Sequence, residues 1–187
     1  MLLLHGHGRT GHSMRGLAAT LRKAGYATLA PHYPARRSLN AIVDGLQPRV
    51  ATFAAECGGP LHMVTHSLGG LVARALFKAH RPARAGRVVM LGASGPHLRT
   101  GRAAAEEAVL GPVDFDLGVI AGDRPIDPVF PRLLVPRPND GKVSVSATRV
   151  AGMRDHIVLP VSHTLMVYDR RVRAQALAFL RNGRFSR

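Results

Sequence analysis

The chain has 187 residues, 46% of them hydrophobic and 20% charged, with Gly 20 and Pro 13. This is the composition of a single globular domain spanning 1–187, and it excludes disordered, collagen-like and disulfide-stapled chains. The formal net charge of +15 would attract polyanions, but the basic residues run from Arg9 to Arg187 without forming a block.

Aromatic residues are 5% with no tryptophan, which leaves little to stack on bases. A solvated basic surface with no specific nucleic-acid partner is therefore expected. The one cysteine, Cys57, cannot close an internal disulfide. No apolar run approaches the roughly 20 residues of a membrane span. Met1-Leu2-Leu3-Leu4 lacks the basic lead and the length of a signal peptide, so the expected location is cytoplasmic by default, or exported if an N-terminal segment is missing. The sequence assigns no oligomeric state.

Short apolar runs alternate with helical periodicity along the chain. Leu2–Leu4 reads as a strand ending in the loop His5-Gly6-His7-Gly8. Ser13 is placed to cap a helix carrying Leu17 and Leu21, with Gly25 at its C-terminal turn. Tyr26–Ala30 reads as a second strand, stopped by Pro31. Ser38 caps a helix to about Ala55, with Ile42, Leu46, Val50 and Phe53 on one stripe and Pro48 inside it.

Leu61–Thr65 is a third strand and Leu68–Ala79 the helix after it; Arg87–Leu91 is a buried-looking strand closed by Gly92. The stretch from Ser94 to Asp114 is the least regular, with one short helix at about Ala103–Leu110. Leu117–Ala121 and Lys142–Val145 read as extended, His156–Val161 as the last strand, and Asp169–Arg181 as the last helix, closed by Asn182-Gly183. This alternation predicts an α/β fold: a mostly parallel sheet of about six strands with helices on both faces. In such sheets the ligand site lies beyond the carboxyl ends of the strands.

The motifs with chemical content all sit there. In Val64-Thr65-His66-Ser67-Leu68-Gly69-Gly70 a buried strand runs straight into a helix, and a serine at that junction sits on a strained turn with its hydroxyl raised above the sheet. Gly69 fits the close strand–helix crossing, while Thr65 replaces the first glycine of G-x-S-x-G. The competing reading of Ser67 is a helix N-cap. His5-Gly6-His7-Gly8 lets backbone N–H groups approach a ligand, so the N–H groups of His7 and Leu68 are the natural pair for an oxyanion. His5 and His7 have no cluster of further ligands at metal spacing, so no metal is expected, and His5 reads as a structural, hydrogen-bonded histidine.

A serine needs a base, held in turn by a third group. Of the 10 histidines, His163 follows the last strand and precedes the last helix, on the Ser67 side; His66 adjoins the serine but points the other way along the strand, and His156 begins its strand at the wrong end. The acid is Asp140, in Asn139-Asp140-Gly141, or Asp123, just past another strand, with Asp127 a weaker third. The chain order Ser…Asp…His accommodates either of the first two.

With these residues in view, the sequence resembles a small bacterial α/β-hydrolase of the lipase/esterase type, similar to the triacylglycerol-lipase-like and GPI-inositol-deacylase-like groups. The residues that carry the resemblance are His5–Thr10, His66–Gly70, Asn139–Ser144 and Ser162-His163, and matches run to about Phe179. The resemblance implies Asp140 rather than Asp123 as the acid. It further implies a serine hydrolase cleaving carboxylic esters through Ser67, His163 and Asp140, without cofactor, acting on a small-molecule or lipid ester; short to medium acyl chains are expected because no lid is evident in the sequence.

Ser94–Asp114 is short for a lid, so an open site is expected. The alternatives are an acyltransferase or thioesterase with the same three residues, or a silent fold binding anionic polymers or lipid surfaces, including peripheral contact with an anionic membrane.

Overall fold

A computed structural model describes residues 1–93, 110, 112–126 and 135–187. The short helix expected at about Ala103–Leu110, apart from Leu110, and the candidate acid Asp127 lie outside them. Five strands are described: β1 (Leu2–Leu4), β2 (Leu61–His66), β3 (Ala85–Leu91), β4 (Leu117–Gly122) and β5 (Asp155–Leu159). They form one sheet in the order β1-β2-β3-β4-β5, every pair parallel. Parallel neighbours need crossovers, and the helices that supply them cover both faces.

Alternation along each strand sorts the core into two layers. Leu2, Leu4, Met63, Val88, Met90 and Val119 meet helices α2 (Leu39–Cys57) and α3 (Leu68–Ala79). Leu3, Val64, Val89, Leu91 and Ile120 meet α1 (Arg15–Lys23) and α4 (Arg170–Asn182). The caps are local: Ser38 accepts from the Ala41 N–H, Asp169 from Arg171 and Val172, and the left-handed Gly58 and Gly183 end α2 and α4.

Three expectations are corrected. Tyr26–Ala30 is not a strand but a single parallel bridge, Leu2↔Leu29, made by Leu3 N–H to Leu29 O (2.8 Å) and Leu29 N–H to Met1 O (2.9 Å). Pro31 has no N–H to extend that pairing. Lys142–Val145 does not run extended either. The chain folds back at Gly141, bridges Ser144 to Asn139 and enters a 3₁₀ turn over Ser146–Thr148, so the described strands number five, not six. Ser13 is no helix cap: it lies in the 3₁₀ turn Gly11–Met14 and donates to Thr10 O at 2.8 Å.

Candidate active site

The carboxyl ends of β1 to β5 form one rim, and the polar motifs gather on it. At the end of β2 the chain turns through Ser67 with φ 53° and ψ −121°, the one non-glycine residue with positive φ among the described residues. Such a conformation costs on the order of 1–3 kcal/mol and persists only where the surroundings impose it. Here they do. A Cβ at Gly69 would lie 2.5 Å from Leu4 O, a backbone atom, so α3 can start this close to β1 only with glycine there. Ser67 is half-buried, and its side chain makes no capping bond to α3. Leu68, as the first helical residue, has an N–H with no partner inside the helix.

The loop after β1 lies against this turn. A Cβ at Gly6 would meet His66 Nδ1 at 2.8 Å and Ser67 Cβ at 3.1 Å, so the glycine allows the loop to touch the serine's own backbone region. His7 follows it, exposed, its ring donating to Ala35 O at 3.3 Å. His5 is the buried structural histidine: Nδ1–H donates to Gly6 O (2.9 Å), Nε2 accepts from Tyr33 N–H (3.4 Å), and its ring stacks on Tyr33 at 4.0 Å. Burial holds its pKa below the ordinary value.

His163 and Asp140, 4% and 2% exposed, are paired. A carboxylate can only accept, so His163 Nδ1–H donates to Asp140 Oδ2 at 2.8 Å, and Nε2 is left with its lone pair. The other oxygen, Oδ1, accepts from the backbone N–H groups of Lys142 (3.0 Å) and Val143 (2.8 Å). Thus Asn139-Asp140-Gly141 is both an ordinary Asp–Gly turn and the mount for a carboxylate aimed at His163. Asp123 makes no bond to His163; among the described residues its ion-pair partner is Arg124, with Nε at 3.6 Å. His156 bonds Thr148 Oγ1 at 2.8 Å, near the start of β5. Among the described residues the bonds of His163 go to Asp140 and His66, and none joins its ring to the Ser67 hydroxyl.

Two contributors escape a reading of the sequence. Gly92, at φ 54°, leaves room for the pair: a Cβ there would lie 3.0 Å from His163 Nδ1 and 3.1 Å from Asp140 Oδ2. His66, seemingly turned away, donates Nε2–H to the His163 carbonyl at 2.9 Å. A run of strand, glycine and turn at Leu91-Gly92 marks the first; nothing local marks the second.

A hollow of about 270 Å³ is bordered by Arg124, Ile126, Ser162 and Leu165, with Ile126 and Leu165 strongly exposed; neither Ser67 nor His163 lines it. A larger cavity of about 690 Å³ lies at the opposite end of β2, lined by Val50, Leu61 and Leu76, away from these residues. No three His, Cys, Asp or Glu side chains among the described residues group as a metal would require. No described helix is long and apolar enough to cross a membrane.

The model of the alpha/beta hydrolase family matches residues 1–185. The chain belongs to that family. This hydrolase shares its fold with a lipase of Bacillus licheniformis, BlEst2 in mature form, at a TM-score of 0.75 and 14% identity over 97% of this chain and 90% of that one. It is similar also to the lin2722 product of Listeria innocua (TM-score 0.68, 13% identity, 97% and 92% covered). A third neighbour is a thermophilic esterase from Thermogutta terrifontis (TM-score 0.67, 15% identity, 97% and 89% covered). No curated protein matches the sequence.

Proposed function

We propose that this hydrolase, as one domain, cleaves carboxylic esters with Ser67 as nucleophile, His163 as base and Asp140 as the acid that orients it. The observation that carries the reading is the buried His163–Asp140 pair, whose hydrogen bond leaves Nε2 unprotonated on the rim where Ser67 sits in a strained turn. Ser67 Oγ attacks the ester carbonyl as its proton passes to His163 Nε2. The oxyanion forms against the backbone N–H groups of His7 and Leu68, each such donor being worth roughly 10²–10³ in rate. Collapse returns the proton to the departing alcohol and leaves an acyl-serine. Water, activated by the same ring, then releases the carboxylic acid.

No step requires a cofactor. The stretch Ser94–Asp114, short in sequence for a lid, supports a short to medium acyl chain as the favoured substrate. The lipase and esterase named among the structural neighbours support an ester rather than an amide. Hydrolysis of p-nitrophenyl esters from acetate to palmitate, wild type against Ser67→Ala, tests it. The expected result is turnover that peaks at short or medium chains and is lost in Ser67→Ala. Wild-type turnover no greater than that of Ser67→Ala would end the reading.

A further inference from the structure

We infer that His66 and Arg9 are positioning residues, which clamp the backbone of His163 and Thr164 to the strand end that carries Ser67 and to the loop that carries His7. The inference rests on His163 acting as the base, and it assigns a task to two side chains outside the reacting set.

Residues 160–165 lie between the end of β5 and the 3₁₀ turn Met166–Tyr168, so no sheet partner orders them. Their polar backbone groups are tied from three sides instead. His163 N–H donates to Asp140 O at 2.9 Å. His163 O accepts from His66 Nε2–H at 2.9 Å, a fully buried bond. Thr164 O accepts from Arg9 Nη2 at 2.7 Å, and Arg9 Nη1 also donates to the Tyr168 hydroxyl at 3.3 Å, its guanidinium lying over that ring.

Each tie leads to a different component of the candidate site: the acid turn, the residue before the nucleophile, and the segment two residues past His7. A base must be held to a fraction of an ångström to be effective, and an error of about 1 Å costs on the order of 10²-fold. Arg124 N–H to Val161 O at 3.3 Å and Met166 N–H to Ser162 O at 3.0 Å anchor the flanks of the segment, while the three ties are the ones that fix His163 and Thr164 themselves.

The His66 ring suits the task. It is 2% exposed and lies 4.9 Å from the His163 ring. A carbonyl can only accept, so the proton of neutral His66 sits on Nε2 and Nδ1 is bare, with no partner among the described residues. Burial, reinforced by His163, Arg9 and Lys142, opposes a second proton. His66 therefore donates without placing a charge beside the imidazolium that forms on His163.

The experiment compares His66→Leu, which removes the donor, with His66→Gln, whose Nε2 can replace it, and Arg9→Met with Arg9→Lys. One readout is kcat and KM on p-nitrophenyl acetate. The other, independent of turnover, is hydrogen exchange of the His163 amide. His66→Leu should lower kcat by about 10²-fold with KM changed less than about threefold, and His66→Gln should recover most of the loss. Protection of the His163 amide should fall about tenfold in His66→Leu and be retained in His66→Gln. Arg9→Met should lower kcat by about tenfold, with Arg9→Lys intermediate.

The inference is overturned if folded His66→Leu keeps wild-type kcat and amide protection, or if His66→Gln is as impaired as His66→Leu. Should His66→Leu not fold, Arg9→Met decides: unchanged kcat and unchanged exchange overturn the clamp. Ser67→Ala separates the two ideas. Undiminished turnover there sinks the esterase reading alone, while hydrogen exchange still reports on the clamp.

Discussion

His163 and Asp140 are joined twice: ring Nδ1–H to Oδ2 at 2.8 Å, and backbone N–H to backbone carbonyl at 2.9 Å. The second bond fixes the two backbones, so the first has a defined direction. Because Oδ1 is already committed to the N–H groups of Lys142 and Val143, the carboxylate cannot rotate to present another face.

That commitment predicts the behaviour of Asp140→Asn. The turn demands an oxygen at the Oδ1 position, so the new NH₂ must face His163. Two donors would then confront each other, and the ring escapes by moving its proton to Nε2, where it can no longer accept one from Ser67. We expect kcat to fall by about 10²–10⁴, with the melting temperature changed much less. Asp123→Asn should stay within about threefold of wild type. Steady-state rates on one ester decide it: the reverse ranking would move the acid to Asp123.

Gly92 yields a prediction that separates strain from collision. Alanine there must adopt φ 54° and also thrust its Cβ inside ordinary van der Waals contact with Nδ1 of His163, Oδ2 of Asp140 and Sδ of Met166, at 3.0, 3.1 and 3.0 Å. Gly58, at φ 62°, has nothing within 4 Å of the corresponding position. Both substitutions should lower stability by about 1–2 kcal/mol through the backbone alone. Only Gly92→Ala should also lower kcat, by about tenfold or more, because the collision acts on the pair. Urea midpoints and kcat for both variants test this, and equal activities would show that the pair has room to spare.

The difference between those two glycines also shows what the sequence can express. Ser67 and His163 each stand just past an apolar run, so position relative to a strand end is enough to nominate them; Asp140 stands in a turn of its own, and only the family resemblance sets it above Asp123. The strand–helix junction at Ser67 and the helix over Leu68–Ala79 were legible for the same reason: β-branched and apolar residues give way abruptly to Gly69-Gly70 and a 3.6-residue stripe. Gly92 and His66 were not, because their roles are defined by a partner 97 residues away for His66 and by atoms of two distant segments, Asp140 and His163–Met166, for Gly92. Tyr26–Ala30 and Lys142–Val145 misled because their composition suits a strand while pairing is decided by neighbours: Pro31 cuts one short, and the Asp140 carboxylate folds the other back.

Acid should loosen the fold, and His66 predicts the window. In the unfolded chain its ring takes a proton near 6.5; in the folded protein burial, followed by electrostatic repulsion from the neighbouring His163 ring, lowers this to about 3. Between those values the unfolded state binds more protons, so stability is full above about pH 6.5 and falls as the pH drops toward 3, by up to about 1.4 kcal/mol per unit. His5, also lowered by burial, contributes with the same sign. His66→Gln carries no titrating group, and its urea midpoint should therefore fall less between pH 7 and pH 5 than that of wild type. Parallel pH dependences in the two proteins would assign the acid sensitivity elsewhere.

Tyr33 offers a last test of how the loop bearing His7 is supported. Its hydroxyl donates to the backbone carbonyl of His5, and its ring lies flat against the His5 imidazole at 4.0 Å, both groups being buried. Burial pushes the phenol's pKa upward, so the donor persists throughout the pH range of ester hydrolysis. Tyr33→Phe keeps the stacked ring and removes only the O–H, leaving a buried carbonyl at the point where β1 passes into the glycine loop. Such an orphaned acceptor costs about 1–3 kcal/mol, which should appear as a lowered urea midpoint. Because the loop pivots at His5, a loss of kcat of about two- to tenfold with little change in KM should accompany it. A midpoint equal to wild type would mean that water or another donor already satisfies the carbonyl, and that the loop is held by its glycine contacts with Ser67 instead.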